Sequence, residues 1–280
     1  MSVRKDLTTI RSRHLGSALA RVLRDSGVLA QDVAERMGWS PARVSRLMHG
    51  RSRIAPTDVA TVLALCGVSS GGLRATLLEL AADLMSPTWL QEHGERPPVE
   101  PTAVRELEEA AVQIVCVDGT AVPALLQASR YMQALHRLNP VVPEGEIARR
   151  MAACVARQQV VERFVDPPLV DAFLWAEVLA PNGFGSDVLA EQLARLMRLS
   201  VVPSVRIRIV PQDAPGCAPF QLMRFTEAAP VVHVEHLNTT LLTQRQATVA
   251  GYQRIVARLD EQALGVEESR GVLAELAGHG

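Results

Sequence analysis

At 280 residues the chain is long enough for about two domains with a sizeable core. Its composition is 48% hydrophobic and 21% charged with 18 Gly and 17 Pro, which excludes wholesale disorder, collagen-like repetition and a disulfide-dense mini-scaffold. The net charge of −1 hides an asymmetry: residues 1–54 carry eleven Lys and Arg against four acids, a net +7, which leaves −8 on the remainder. A basic head on an acidic body fits a nucleic-acid-binding module joined to a second domain; a basic face that is merely solvated is the alternative.

Aromatic residues make up only 4% of the chain, so the core must be built from Leu, Val and Ala. No apolar run approaches the ~20 residues of a membrane span. The best candidate, residues 173–180, is broken by Glu177, and no membrane partner is expected. The basic N-terminus has no apolar segment behind it, which reads as no secretion signal. Cys66, Cys116, Cys154 and Cys217 form no CxxC pair, so neither a disulfide framework nor a zinc ribbon is expected, and the cytoplasm is the simplest location.

In chain order, residues 1–85 read as an all-α domain of short helices. The first runs from Ile10 to Asp25 with Leu15, Leu19, Val22 and Leu23 at helical spacing, and ends near Gly27. A second spans Ala30 to Met37 and stops at Gly38. Ser40 suits the N-cap and Pro41 the first position of a third, which ends at Gly50. Two more cover about 56–66 and 72–84. Residues 86–101 collect four prolines and Gly94 and read as a linker. The second domain, 102–280, begins with helices at about 102–114, 122–136 and 144–164. A strand at 169–177, a helix at 187–199 and the alternating strand 204–210 follow, suggesting one right-handed βαβ unit. Strands 220–226 and 230–237 form a hairpin through Glu227, Ala228 and Ala229, and helices at 243–264 and 267–277 close the chain. The fold class expected is therefore multidomain: a helix-turn-helix bundle, then a mixed α/β domain with a small sheet of about four strands and flanking helices.

The sharpest motif lies within residues 29–53. A helix-turn-helix needs a small residue where its two helices meet, supplied by Ala34, and a turn residue tolerant of positive φ, supplied by Gly38. Val33 and Met37 on the first helix and Val44 and Leu47 on the second form the buried side. Ala42, Arg43 and Arg46 then point outward, as a recognition helix presents side chains to a major groove. Arg46 is the candidate for a base edge, since a guanidinium can hold guanine bidentately, and Ala42 for a thymine methyl. Gln31, Ser40, Arg43, Arg51 and Arg53 are the candidates for phosphate contacts.

Through Gln31, Ala34, Gly38, Ser40, Val44, Ser45, Arg46, Leu47 and Gly50 this stretch resembles the Xre/Cro-type helix-turn-helix family, departing from it at Pro41 and Met48. Further on, LEEA (107–110), VPALLQ (122–127), ARQ (156–158), VRIRIVP (205–211), APF (218–220), VVHVE (231–235) and ESR (268–270) occur in that order. Together they resemble the large C-terminal domain of actinobacterial regulators of the WhiJ type. Ala124 and Ala128 depart from its usual Gly and Thr, and only Trp89 stands near a usual Trp pair. The resemblance implies a cytoplasmic, antitoxin-like regulator with a small companion protein, and it supplies no catalytic site.

No catalytic constellation emerges. His233 and Glu235 share a strand face while His236 points the other way, which favours a structural role over a metal site. Asp166 and Asp171 find no second carboxylate at a useful spacing. Gly-bearing residues 182–187 precede a helix and read as a loop with Ser186 as N-cap, although such a loop can hold an anion. A phosphate-binding loop of the GxxxxGK type is impossible because Lys5 is the only lysine. The reading is a sequence-specific DNA-binding transcription regulator, not an enzyme, with no cofactor and no metal. It acts on double-stranded DNA as a homodimer, and its C-terminal domain binds a companion protein. The alternative is a sensor whose C-terminal domain binds a small-molecule effector.

Overall fold

The computed structural model describes residues 8–92, 102–140, 142–180, 184–212, 214, 216–236 and 239–278. The chain divides into two compact units, residues 1–89 and 90–280.

The first unit is a bundle of five helices: α1 (Ile10–Ser26), α2 (Ala30–Met37), α3 (Pro41–Met48), α4 (Pro56–Leu65) and α5 (Gly72–Ala82). Their ends follow local chemistry. Thr9 caps α1 through a reciprocal pair with Ser12: the Ser12 amide donates to Thr9 Oγ1 at 3.0 Å and the Thr9 amide to Ser12 Oγ at 2.8 Å. The Thr9 hydroxyl donates onward to the Leu84 carbonyl, which ties the start of α1 to the end of the bundle. Gly27 and Gly38 end α1 and α2 in left-handed backbone, φ 71° and 63°. Leu15, Leu19, Val33, Val44, Leu47, Val59 and Leu63 are buried and fill the centre.

The second unit is built on a seven-stranded sheet, not the four-stranded one expected. The strands of the sheet are β1 (Thr88–Glu92), which begins two residues before the boundary between the units, β2 (Gln113–Asp118), β3 (Leu169–Trp175), β4 (Val205–Val210), β5 (Phe220–Arg224), β6 (Val231–His236) and β7 (Thr239–Thr243), in the order β1-β7-β6-β5-β2-β3-β4. β2, β3 and β4 are parallel neighbours; β5, β6 and β7 continue antiparallel. Three strands were not expected. β1 lies where a linker was read, and the rest of that segment, 93–101, is outside the described residues. β2 occupies part of the first expected helix of the second domain. Ile114, Val115, Cys116 and Val117 are all buried, so this central strand has no polar alternation to announce it. β7, residues TTLLT, lies between the strand expected at 230–237 and the helix expected at 243–264, where no element is read from the sequence.

The helices are α6 (Thr102–Ala110), α7 (Ser129–Leu138), α8 (Glu144–Gln158), α9 (Ser186–Leu199), α10 (Gln246–Gln262) and α11 (Val266–Gly278), with short 3-10 turns at Ala124–Leu126 and Ala176–Leu179. Ser186 is the first helical residue of α9 and Gly185 its cap, without a side-chain capping bond, so the cap expected at Ser186 is displaced by one. Phe220 and Gln221 are adjacent on β5 and point to opposite faces. Phe220 meets Tyr252 of α10 at 4.7 Å between ring centroids, while Gln221 meets Glu108 of α6 and Arg157 of α8. Helices therefore cover both faces. Arg208, on the face opposite Ile207 and Ile209, is not left in solvent; it donates to the Asp260, Ala263 and Leu264 carbonyls at the end of α10. The β4 edge is closed as well: the Ile209 amide donates to Ser269 Oγ and its carbonyl accepts from the Leu264 amide. No helix among the described residues is long and apolar enough to cross a membrane.

Candidate functional site

The α2–turn–α3 unit is formed by local signals. After α2, the left-handed Gly38 lets the Gly38 amide reach the Glu35 carbonyl and the Trp39 amide the Ala34 carbonyl at 2.8 Å, closing the helix end. Ser40 Oγ then accepts from the Arg43 amide at 3.2 Å, and Pro41 opens α3. Val33, Ala34, Val44 and Leu47 are buried, and Met37 is half-buried. The opposite side of α3 carries Pro41, Ala42, Ser45 and Arg46, all exposed, with Arg51 and Arg53 exposed beyond Gly50 and Gln31 exposed on α2.

Of the seven candidate DNA-contacting residues, six are exposed. Arg43 is the exception. Its guanidinium lies 4.1 Å from the centroid of the Trp39 ring and 3.7 Å from the Asp58 carboxylate of α4. Cation–π contact and ion pair together brace the turn against α4. Ser40 Oγ accepts as a helix cap and keeps its hydroxyl proton to donate. Sequence reasoning missed Trp39 and Asp58, and also Gly16, where any Cβ would lie 2.5 Å from the Leu47 carbonyl. Only a glycine lets α1 pass this close to the end of α3.

The second unit holds a buried polar cluster that no local pattern announces. Arg157 donates to both oxygens of Glu108, Nε to Oε2 at 2.9 Å and Nη2 to Oε1 at 2.7 Å; both side chains are buried. Gln221 Nε2 donates to Glu108 Oε1 at 3.1 Å, and its carbonyl oxygen pairs with His233 Nδ1 at 2.8 Å. Burial pushes the His233 ring down to about 4, so it is neutral at pH 7. The Cys116 and Cys154 thiols are pushed up to about 12 and about 11 by burial, which leaves neither as a ready nucleophile. Beside the cluster lies a cavity of about 200 Å³ lined by Asp118, Pro123, Ala124, Pro219, His233 and Glu235 among others.

The remaining candidates separate. Asp171 bonds to Gln113 and to Arg206 in a cross-strand ladder. The Glu235 side chain is largely exposed, at 60%, whereas His233 is buried, and the side chain of His236 is outside the described residues, as are 182 and 183 of the Gly-bearing loop. Among the described residues no group of three or more His, Cys, Asp or Glu is placed to hold a metal ion.

A family profile described as a helix-turn-helix domain matches residues 14–77. A second, described as a domain of unknown function, DUF5753, matches residues 102–275, more than half of the chain. The chain belongs to the DUF5753 family. Its arrangement is that of a transcription-regulator-like protein, and the helix-turn-helix domain supports DNA binding. No curated protein matches the chain. Among solved structures it is similar to TrmBL2, an archaeal chromatin protein described as showing a novel mode of DNA binding. The identity is 14% over 69% of this chain and 61% of that one, with a TM-score of 0.31. This chain thus spans less than two thirds of that protein. Within the DUF5753 domain, the segments LEEA, VPALLQ, ARQ, APF and VVHVE, scattered over 129 positions from 107 to 235, all contribute residues to the polar cluster or its cavity.

Proposed function

We propose that the protein is a sequence-specific, double-stranded-DNA-binding transcription regulator of the Xre type, working in the cytoplasm without chemistry of its own. The observation that carries this reading is the asymmetry of α3: Val44 and Leu47 are buried, while Ala42 and Arg46 stand exposed beside Arg51 and Arg53. Among the described residues no hydrogen bond or ion pair engages the side chains of Arg46 and Arg53, so both are available to nucleic acid. Arg46 reads a guanine edge, Ala42 a thymine methyl, and Gln31, Ser40, Arg51 and Arg53 set the register on phosphates, with Arg43 holding the turn. One head reads only a few base pairs, so the active form is a homodimer with half-sites about 10 base pairs, or a multiple, apart. The acidic body supplies the dimer contact and a surface for a companion protein, in an antitoxin-like arrangement of the WhiJ type. Selection of bound duplexes from random-sequence DNA, followed by Arg46→Ala, tests the reading. The variant should lose about 1–3 kcal/mol and its preference at one base position; failure of the intact chain to enrich any sequence defeats it.

A second reading is favoured by the cavity beside Glu108 and Arg157: the DUF5753 domain senses a small molecule and shifts DNA affinity. A concave site with a few convergent polar groups is where such an effector binds.

A further inference from the structure

We propose that the cavity beside His233 in the DUF5753 domain binds a compact, non-anionic small molecule that donates a hydroxyl or N–H to His233 Nε2 and rests an apolar face against Pro123, Ala124 and Pro219. The proposal deepens the sensing reading above and rests on it for its regulatory meaning.

The chemistry is set by a chain of orientations that begins at Glu108. Its two oxygens accept from Arg157, and Oε1 also accepts from Gln221. A carboxylate offers no proton, so the Gln221 amide must turn its NH₂ to Glu108 and its carbonyl away. That carbonyl receives Arg157 Nη2 at 3.4 Å and faces His233 Nδ1, which must therefore carry the ring proton. Nε2 is left as a bare lone pair. It is buried, it has no partner among the described residues, and its ring lines the cavity. An orphaned buried acceptor is costly, so a molecule that brings a donor recovers that loss on binding.

Charge narrows the class further. Of the charged side chains that line the cavity, Asp118 and Glu235 are carboxyl groups and Arg157 is already held by Glu108, an environment that disfavours an anion. A carboxylate ligand would also present an acceptor to an acceptor. The walls are held in place before any ligand arrives. Gln158 Nε2 donates to the Ala124 and Gln127 carbonyls, and Gln192 clamps the same loop by accepting from the Ala128 amide and donating to the Leu126 carbonyl. At about 200 Å³ the cavity is smaller than the ~300 Å³ lower bound for drug-sized ligands, which points to a compact molecule.

The test uses the full chain labelled with ¹⁵N in its histidine rings, and four probes. Benzyl alcohol and benzylamine carry a donor, toluene carries none, and benzoate is an anion. At pH 7 the free protein should show His233 Nε2 as an unprotonated nitrogen. The two donors should shift that resonance and raise the Tm, binding about tenfold or more tighter than toluene or benzoate. Ala124→Leu, which fills the cavity from its rim, should abolish the response while leaving the free His233 signal in place; His233→Phe should abolish it by removing the acceptor. A protonated Nε2, an equal response to toluene, or no response to either donor at millimolar concentration overturns the proposal. The affinity for a selected duplex, read with the same probes, separates the two layers. Binding at His233 with unchanged DNA affinity upholds the site and removes the sensing role. A change in DNA affinity without a His233 shift upholds sensing and overturns this site.

Discussion

A Cβ on Gly16 of α1 would lie 2.8 Å from the amide nitrogen of Gly50, and one on Gly50 would lie 2.6 Å from the Arg13 Cα. The two glycines let α1 and the end of α3 meet backbone to backbone, and Gly50 also holds φ at +66°. The pose of α3 therefore depends on side chains that are absent. Gly16→Ala should cost about 1–3 kcal/mol by overpacking against backbone that cannot yield. Gly50→Ala adds the penalty of left-handed backbone, ~1–2 kcal/mol. Gly38→Ala has open space and should carry only that backbone penalty. Hydrogen-exchange protection of the α1 and α3 amides in the full chain should rank the variants Gly38, Gly16, Gly50 in increasing damage; an equal loss at Gly38 and Gly50 would contradict the packing argument.

Arg53 and Arg46 should fail in different ways. With Arg53 in the phosphate-contacting role proposed above, Arg53→Ala should lower affinity on every duplex and reduce the slope of log K against log salt by about 1. Arg46→Ala should leave the non-specific affinity closer to that of the parent chain while relaxing the choice at one base pair. Titrations over a salt series on selected and scrambled duplexes give both quantities. Identical behaviour of the two variants would make Arg46 a phosphate contact.

Glu108 and Arg157 form a buried pair whose halves are costly alone. Glu108→Leu leaves the buried Arg157 guanidinium with only the largely exposed Glu235 carboxylate, 3.8 Å away, and Arg157→Met leaves the buried Glu108 carboxylate with only Gln221; either single variant should destabilise the DUF5753 domain by about 3–5 kcal/mol. The double variant Glu108→Leu, Arg157→Met removes both charges and should lose less than the two single losses combined. Denaturant unfolding in a double-mutant cycle measures the coupling, and strict additivity would show that the pair does not act as a unit.

His233 gives the domain a pH dependence with a definite sign. Its ring is held neutral by burial, down to about 4 against an ordinary 6.5, while Glu235, Arg157 and Glu108 are the charged groups that act on it. The unfolded chain takes up the proton first. Stability is fully present above pH 6.5 and falls as the pH drops from there towards 4, by up to about 3 kcal/mol. Unfolding midpoints of the parent chain and His233→Gln across this window isolate the contribution, since all other titrating groups are shared. Parallel curves would show that His233 is not the group responsible.

What the sequence by itself determined is the part of the molecule whose causes are local. Gly38 ends a helix because φ must turn positive there, Ser40 caps the next because its oxygen reaches an amide three residues on, and Val33, Val44 and Leu47 mark the buried side by helical spacing. Each cause acts within a few residues, so the helix-turn-helix and its outward residues were legible in order. The parallel β3 and β4 with α9 between them were legible for the same reason, through the alternation of Val205, Ile207 and Ile209. Only the tertiary structure decided the rest. β2 is buried on both faces and carries no alternating signature, so its place at the centre of seven strands follows from what packs on it. Arg43, exposed by helical spacing, is drawn to Trp39 and Asp58. Glu108, Arg157, Gln221 and His233 come together from α6, α8, β5 and β6. Hydrogen bonds among them span 49 and 113 positions of chain, and a bond over such a separation exists only once the sheet and the layer of α6 and α8 have closed around it.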